Sequence, residues 1–278
     1  MTTEPINPDI PEVTQSAPQV RLVVQKGAKG EQVIECRRIV TLLGSRSGCK
    51  LVLPNRRVEP VHLAILQTGT KVIGIDLATQ KGTLLNDLKL LYEPLSNGDR
   101  LGVGPWEFRV GIDRGDEASD DVNPFGLEPT PQVIALEHVP SGRILQPTRE
   151  ACLIGRRRPC DVTVEDLNAS RVHAILFTYH GYPAIVDLIS RNHTYVNNEP
   201  VCFSMLHNED TLAIGESRFI VRVLSAGVGR VTQNATSPRN HIEPVSADTS
   251  DDLVDIATTD LSQRWSVVDQ LQKAEKRR

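Results

Sequence analysis

Three short polar runs carry side chains able to work together: Gly155-Arg156, then Ser170-Arg171-x-His173, then Ser190-Arg191-Asn192-x-Thr194 with Asn197 just beyond. They hold guanidiniums, hydroxyls and a carboxamide, and no carboxylate. That set suits a doubly charged oxyanion such as a phosphate. An arginine fork meets its oxygens bidentately, and hydroxyls and amides complete the shell. Arg156–Arg158 alone would be a solvated basic run; the other two runs give it a purpose.

Other chemistries are poorly served. Gly102-Val103-Gly104 leads into Pro105 and has Glu107 where a dinucleotide loop needs glycine. There is no glycine-rich loop ending in Lys-Ser/Thr, and the seven histidines lack metal-ligand spacing. The five cysteines are odd in number and form no CxxC pair, so they read as small buried thiols in a reducing compartment. The expectation is a non-enzymatic binding protein with no catalytic residue, no metal and no cofactor. Aromatics at 4% are too few for stacking platforms on RNA. No apolar run reaches the length of a membrane span, and the N-terminus is acidic and proline-rich, unlike a secretory leader. A cytoplasmic protein is expected.

For the three runs to converge, they must lie in turns at one end of a rigid frame. The elements between them read as strands. HLAILQ (62–67) and KVIGIDL (71–77) flank one turn, and HAILFTY (173–179) and YPAIVDL (182–188) flank another at His180-Gly181. Neither region has a helical period. The net charge of −4 conceals an uneven spread: −3 over residues 1–19, +6 over 21–110, −5 over 111–130, −1 over 131–224 and −1 over 225–278. The acidic stretch rich in Gly, Asp, Asn and Pro reads as a solvated linker. The chain therefore divides into a disordered acidic tail (1–19), a β-sandwich (20–112), a linker (113–130), a second β-sandwich (131–224) and a flexible tail (225–278).

The two sandwiches are copies. Shifting the chain by 111 residues, without a gap, places Gly44 on Gly155, Arg46 on Arg157, Cys49 on Cys160 and His62 on His173. Asp76-Leu77 falls on Asp187-Leu188, Thr83 on Thr194, Asn86 on Asn197, and Phe108 on Phe219. A constant register over that distance marks a tandem duplication.

The order of the three runs resembles the forkhead-associated (FHA) domain, with Leu206, Asp210, Leu212, Gly215 and Phe219 similar to its closing strands. The resemblance covers about residues 132–223 and implies an all-β fold of two tandem FHA-like sandwiches. It also implies a phosphothreonine-peptide adaptor or scaffold in kinase signalling. By this resemblance Arg156, Ser170 and Arg171 contact the phosphate and adjacent backbone, and Arg191 and Asn192 hold the peptide main chain and flanking residues. Gly155, His173, Thr194 and Asn197 are framework, His173 bracing the Ser170 loop. The partner implied is a threonine-phosphorylated protein, with the chain's own tail, in cis or in a second chain, as one candidate, and a Ser/Thr kinase to modify it. One departure is His193, where the family has glycine; a turn with positive φ there would be strained.

The first sandwich keeps the frame and loses the site. Ser45 replaces Arg156, Glu59 replaces Ser170, Pro60 replaces Arg171, Gln80 replaces Arg191 and Lys81 replaces Asn192. Glu59 would set an anion where a phosphate should sit. Like charges at ~4 Å repel by ~1 kcal/mol in water and ~4 at an effective dielectric of 20. A structural or docking role is expected for this copy. The alternative, that its net positive charge binds nucleic acid or an acidic partner, meets basic residues that are scattered and not interleaved with aromatics. At the C-terminus, Val254, Ala257, Leu261, Trp265, Val268 and Leu271 recur at steps of three or four, with acids before and cations after. This predicts a short amphipathic helix over about 251–277.

Overall fold

The computed structural model describes residues 10–13, 17–26, 32–69, 71–114, 132–139, 141–147, 149–158 and 160–225. Among these, every helix or strand is a strand. The first copy contains β1 (Gln19–Lys26), β2 (Val33–Cys36), β3 (Val40–Gly44), β4 (Leu51–Val52), β5 (Leu63–Gln67), β6 (Val72–Asp76), β7 (Thr83–Leu85), β8 (Leu88–Leu90), β9 (Tyr92–Pro94), β10 (Arg100–Val103) and β11 (Trp106–Asp113). The second contains β12 (Gln132–His138), β13 (Arg143–Leu145), β14 (Ala151–Gly155), β15 (Val162–Thr163), β16 (Ala174–Tyr179), β17 (Tyr182–Asp187), β18 (Thr194–Val196), β19 (Glu199–Val201), β20 (Phe203–Met205), β21 (Thr211–Ile214) and β22 (Ser217–Ser225). Strand for strand, the copies follow the 111-residue offset to within two residues.

Each copy is a sandwich of a six-stranded and a five-stranded sheet. The first has the orders β2-β1-β11-β10-β7-β8 and β4-β3-β5-β6-β9, and the second repeats both orders with its own strands. Alternation along each strand divides its side chains between two faces. Leu43, Leu63, Ile65 and Phe108 fill the first sandwich, and Ile154, Leu176, Ile185 and Phe219 the second.

The five-stranded sheets are buried on both faces. Residues of β3, β5, β6, β14 and β16 that alternate with the core positions point the other way and meet in one further apolar layer. Leu42, Leu66 and Ile73 of the first copy pack there with Leu153, Ile175 and Phe177 of the second. This is why β3, β5, β6 and β14 are buried at every position. Continuous apolar runs, in place of in–out alternation, are the signature of strands covered on both sides. Polar ties rim the layer: Lys71 pairs with Glu150 at 2.7 Å, and the His180 amide donates to the Thr68 carbonyl at 3.4 Å. The sequence reading placed a linker between the two sandwiches and did not anticipate that they share an apolar layer.

A second difference concerns residues 10–13, part of the segment 1–19 expected to be a disordered acidic tail. Ile10 is 4% exposed and belongs to the shared layer, while Val13 donates its amide to the Arg37 carbonyl. Ile10 and Val13 pack on the layer, and the backbone between them pairs with Arg37–Ile39. The linker beyond Arg114 up to residue 131, the tail from residue 226, and the helix expected at 251–277 lie outside the described residues.

Candidate functional site

The site is built on one close approach. Gly155 ends β14 against the backbone of the Arg171 loop, where an added Cβ would lie 2.4 Å from the Arg171 carbonyl oxygen. Only glycine permits that contact, and Gly44 makes the same one with Pro60 at 2.2 Å. It allows the Arg156 amide to donate to the Ser170 carbonyl (3.1 Å) and the Arg157 amide to the Arg171 carbonyl (3.0 Å). The Arg156 side chain then donates from Nε to the Ala169 carbonyl at 3.0 Å. The first copy preserves the two backbone bonds, from Ser45 to Glu59 (2.9 Å) and from Arg46 to Pro60 (3.0 Å). Cys49 and Cys160 donate their thiols to the Pro60 and Arg171 carbonyls, each at 3.4 Å. Burial raises both thiols to about 11, so they are inert braces.

His173 is fully buried and joins two loops. Its Nδ1 accepts the Ser170 amide at 3.0 Å, and its Nε2 faces the His193 carbonyl at 3.0 Å. Accepting at Nδ1 fixes the tautomer, so Nε2 carries the proton and donates. Burial pulls its pKa below the ordinary histidine value, against the opposing pull of Asp187, and keeps the ring neutral. Asp187 organises the next turn: it accepts the Ser190 amide (2.8 Å), the Ser190 hydroxyl (2.6 Å) and the Thr194 hydroxyl (2.9 Å). From that turn the Arg191 amide donates to Ser170 Oγ at 3.2 Å, and Asn192 Nδ2 donates to the Asn168 carbonyl at 2.8 Å. Three loops distant in sequence are thus stitched at one end of the sandwich.

Arg156, Ser170, Arg171 and Arg191 line one open cavity of about 170 Å³. Asn192 joins it through Asn168, while Gly155, His173 and Thr194 lie in the frame behind. Asn197 sits elsewhere. With Asn198 it forms the tight turn between β18 and β19 at φ of 51° and 69°, the geometry of a two-residue hairpin, and its Nδ2 donates to Asp210 at 2.8 Å. His193 adopts φ 55°, so the strain expected from replacing glycine is present.

One residue escaped the sequence reading, and a second was read only for its effect within the first copy. Asp187 is a hub, and the register already carried the signal, since Asp76 does the same for Thr79 and Thr83. The second is Glu59 of the first copy. It faces the other sandwich, 3.6 Å from the Arg171 guanidinium. Arg46 reaches the same cavity and donates to the Ile189 carbonyl at 2.6 Å. No sequence signal marks these contacts, because they arise from how the sandwiches pack.

The FHA domain family matches this chain twice, at residues 41–104 and 152–215. The oxoglutarate dehydrogenase inhibitor of Corynebacterium jeikeium is 35% identical over 105 residues, covering 36% of this chain and 72% of that protein. The chain belongs to the FHA-domain family. The glycogen accumulation regulator GarA of Mycolicibacterium smegmatis is 40% identical over 75 residues, covering 27% of this chain and 46% of GarA. A solved FHA domain, from a structural and functional analysis of phosphothreonine-dependent FHA domain interactions, is 32% identical. The match covers 32% of this chain and 95% of that one, with a TM-score of 0.31. Both FHA domains keep the framework glycine, histidine, aspartate and threonine; only the second carries the arginine–serine–arginine set.

Proposed function

We propose that the second FHA domain binds phosphothreonine peptides and that the chain is a non-catalytic adaptor. The observation that carries this reading is the convergence of Arg156, Ser170, Arg171 and Arg191 on one cavity, on loops stitched together by hydrogen bonds. Such a frame holds the loops that carry these guanidiniums in place before a dianion arrives. Related proteins named as an inhibitor and a regulator fit an adaptor better than an enzyme. The partner is a protein phosphorylated on threonine, which calls for a Ser/Thr kinase upstream. The first domain, with Ser45, Glu59 and Pro60 at the equivalent positions, serves as a structural or docking module.

The test is titration of the full chain with a paired phosphothreonine and unmodified peptide library. Arg156→Ala and Ser170→Ala each weaken phosphopeptide binding by about tenfold or more, as loss of a charge-assisted hydrogen bond requires. Wild-type affinity in both variants overturns the assignment.

A further inference from the structure

The turn carrying Arg191 and Asn192 runs from Asp187 to Thr194 and holds two strained residues. His193 is one; Ile189, at φ 55°, is the other. The first domain has Ala78 and Gly82 at these places, at φ 55° and 78°, so the second domain placed bulkier residues in the same left-handed geometry. A β-branched residue there persists only where its surroundings over-determine it. Those surroundings come from the first domain. Arg46 Nη1 holds the Ile189 carbonyl at 2.6 Å. The Ile189 side chain lies against Gly48, where an added Cβ would stand 3.0 Å from Ile189 Cδ1. Two residues after this clamp, the Arg191 amide holds Ser170 Oγ.

We propose that Arg46 is a positioning residue for the anion site of the second domain, fixing the Ile189 turn, and with it Arg191 and Asn192, from the neighbouring domain. The proposal rests on the phosphopeptide reading above and deepens it: the degenerate copy is a working part of its partner's site. Arg46 acts through the Ile189 carbonyl, so its effect differs from that of a nearby positive charge.

The experiment measures phosphothreonine-peptide affinity of the full chain for wild type, Arg46→Met, Arg46→Lys, Gly48→Val and Arg156→Ala. Each is measured at about 0.1 M and about 1 M salt, where the screening length falls from about 10 Å to about 3 Å. Arg46→Met weakens binding about fivefold at both salt concentrations and speeds amide exchange at Arg191 and Asn192, with little change in Tm because Arg46 is exposed. Arg46→Lys falls between, since an ammonium lacks the fork. Gly48→Val, which displaces Ile189 without touching charge, weakens binding as well. A loss that vanishes at high salt, or wild-type affinity and exchange in Arg46→Met, overturns the inference. If Arg156→Ala also binds like wild type, the phosphopeptide reading itself has failed; if Arg156→Ala alone loses binding, only the role of Arg46 falls.

Discussion

At the residue scale the site depends on side chains whose protonation and backbone geometry are set by burial. His173 and its counterpart His62 are both fully buried and both held below the ordinary histidine pKa by burial. The folded chain therefore refuses protons that the unfolded chain accepts. Stability is complete above about pH 6.5 and falls as the pH drops below that value. Urea midpoints measured from pH 7.5 to 5.5 should decline; a rise across that range contradicts a neutral buried pair. His193 offers a separate test. Replacing it with glycine removes the cost of a Cβ at φ 55°, less the extra entropy of the unfolded chain. His193→Gly is expected to raise stability by about 0.5–1 kcal/mol, read from the same midpoints.

At the element scale, the loops following β4 and β15 are the same element in two copies with different side chains at the cavity. In the second copy the loop presents Ser170 and Arg171; in the first it presents Glu59, and Glu59 reaches across to Arg171 at 3.6 Å. A carboxylate there competes with a phosphate for one guanidinium and repels it. Glu59→Gln should tighten phosphothreonine-peptide binding by on the order of fivefold at low salt, with less gain at high salt. Weaker binding instead would mean that Glu59 serves to hold Arg171 in place. The sign is opposite to that expected for Arg46, so the two variants separate clamp from competitor.

At the scale of the whole molecule, the two sandwiches are four stacked sheets with three apolar layers. Removing the first sandwich uncovers Leu153, Ile175, Phe177, Tyr179 and Val186 at once. An apolar face of that extent seeks cover. Residues 131–225 expressed alone are expected to self-associate and melt well below the full chain. Sedimentation and thermal scans of both would show it, and an equally stable monomeric fragment would mean that the shared layer contributes little.

Within the two sandwiches the linear chain carried most of the local structure. Turn residues and the 111-residue register determined two all-β copies, and residue identity at five positions underlies the proposal that the second copy carries the anion chemistry. These are legible because backbone geometry and charge type are properties of a residue and its near neighbours. The packing of the copies was only half legible. The unbroken apolar runs of β5 and β16 require cover on both faces, yet a run cannot say what supplies it. Tertiary structure alone decided that the cover is the other copy, that Ile10 joins it, and that Arg46 and Glu59 stand at their partner's site. The Arg46–Ile189 and Glu59–Arg171 contacts join residues more than a hundred positions apart through shape and burial, which no local pattern encodes.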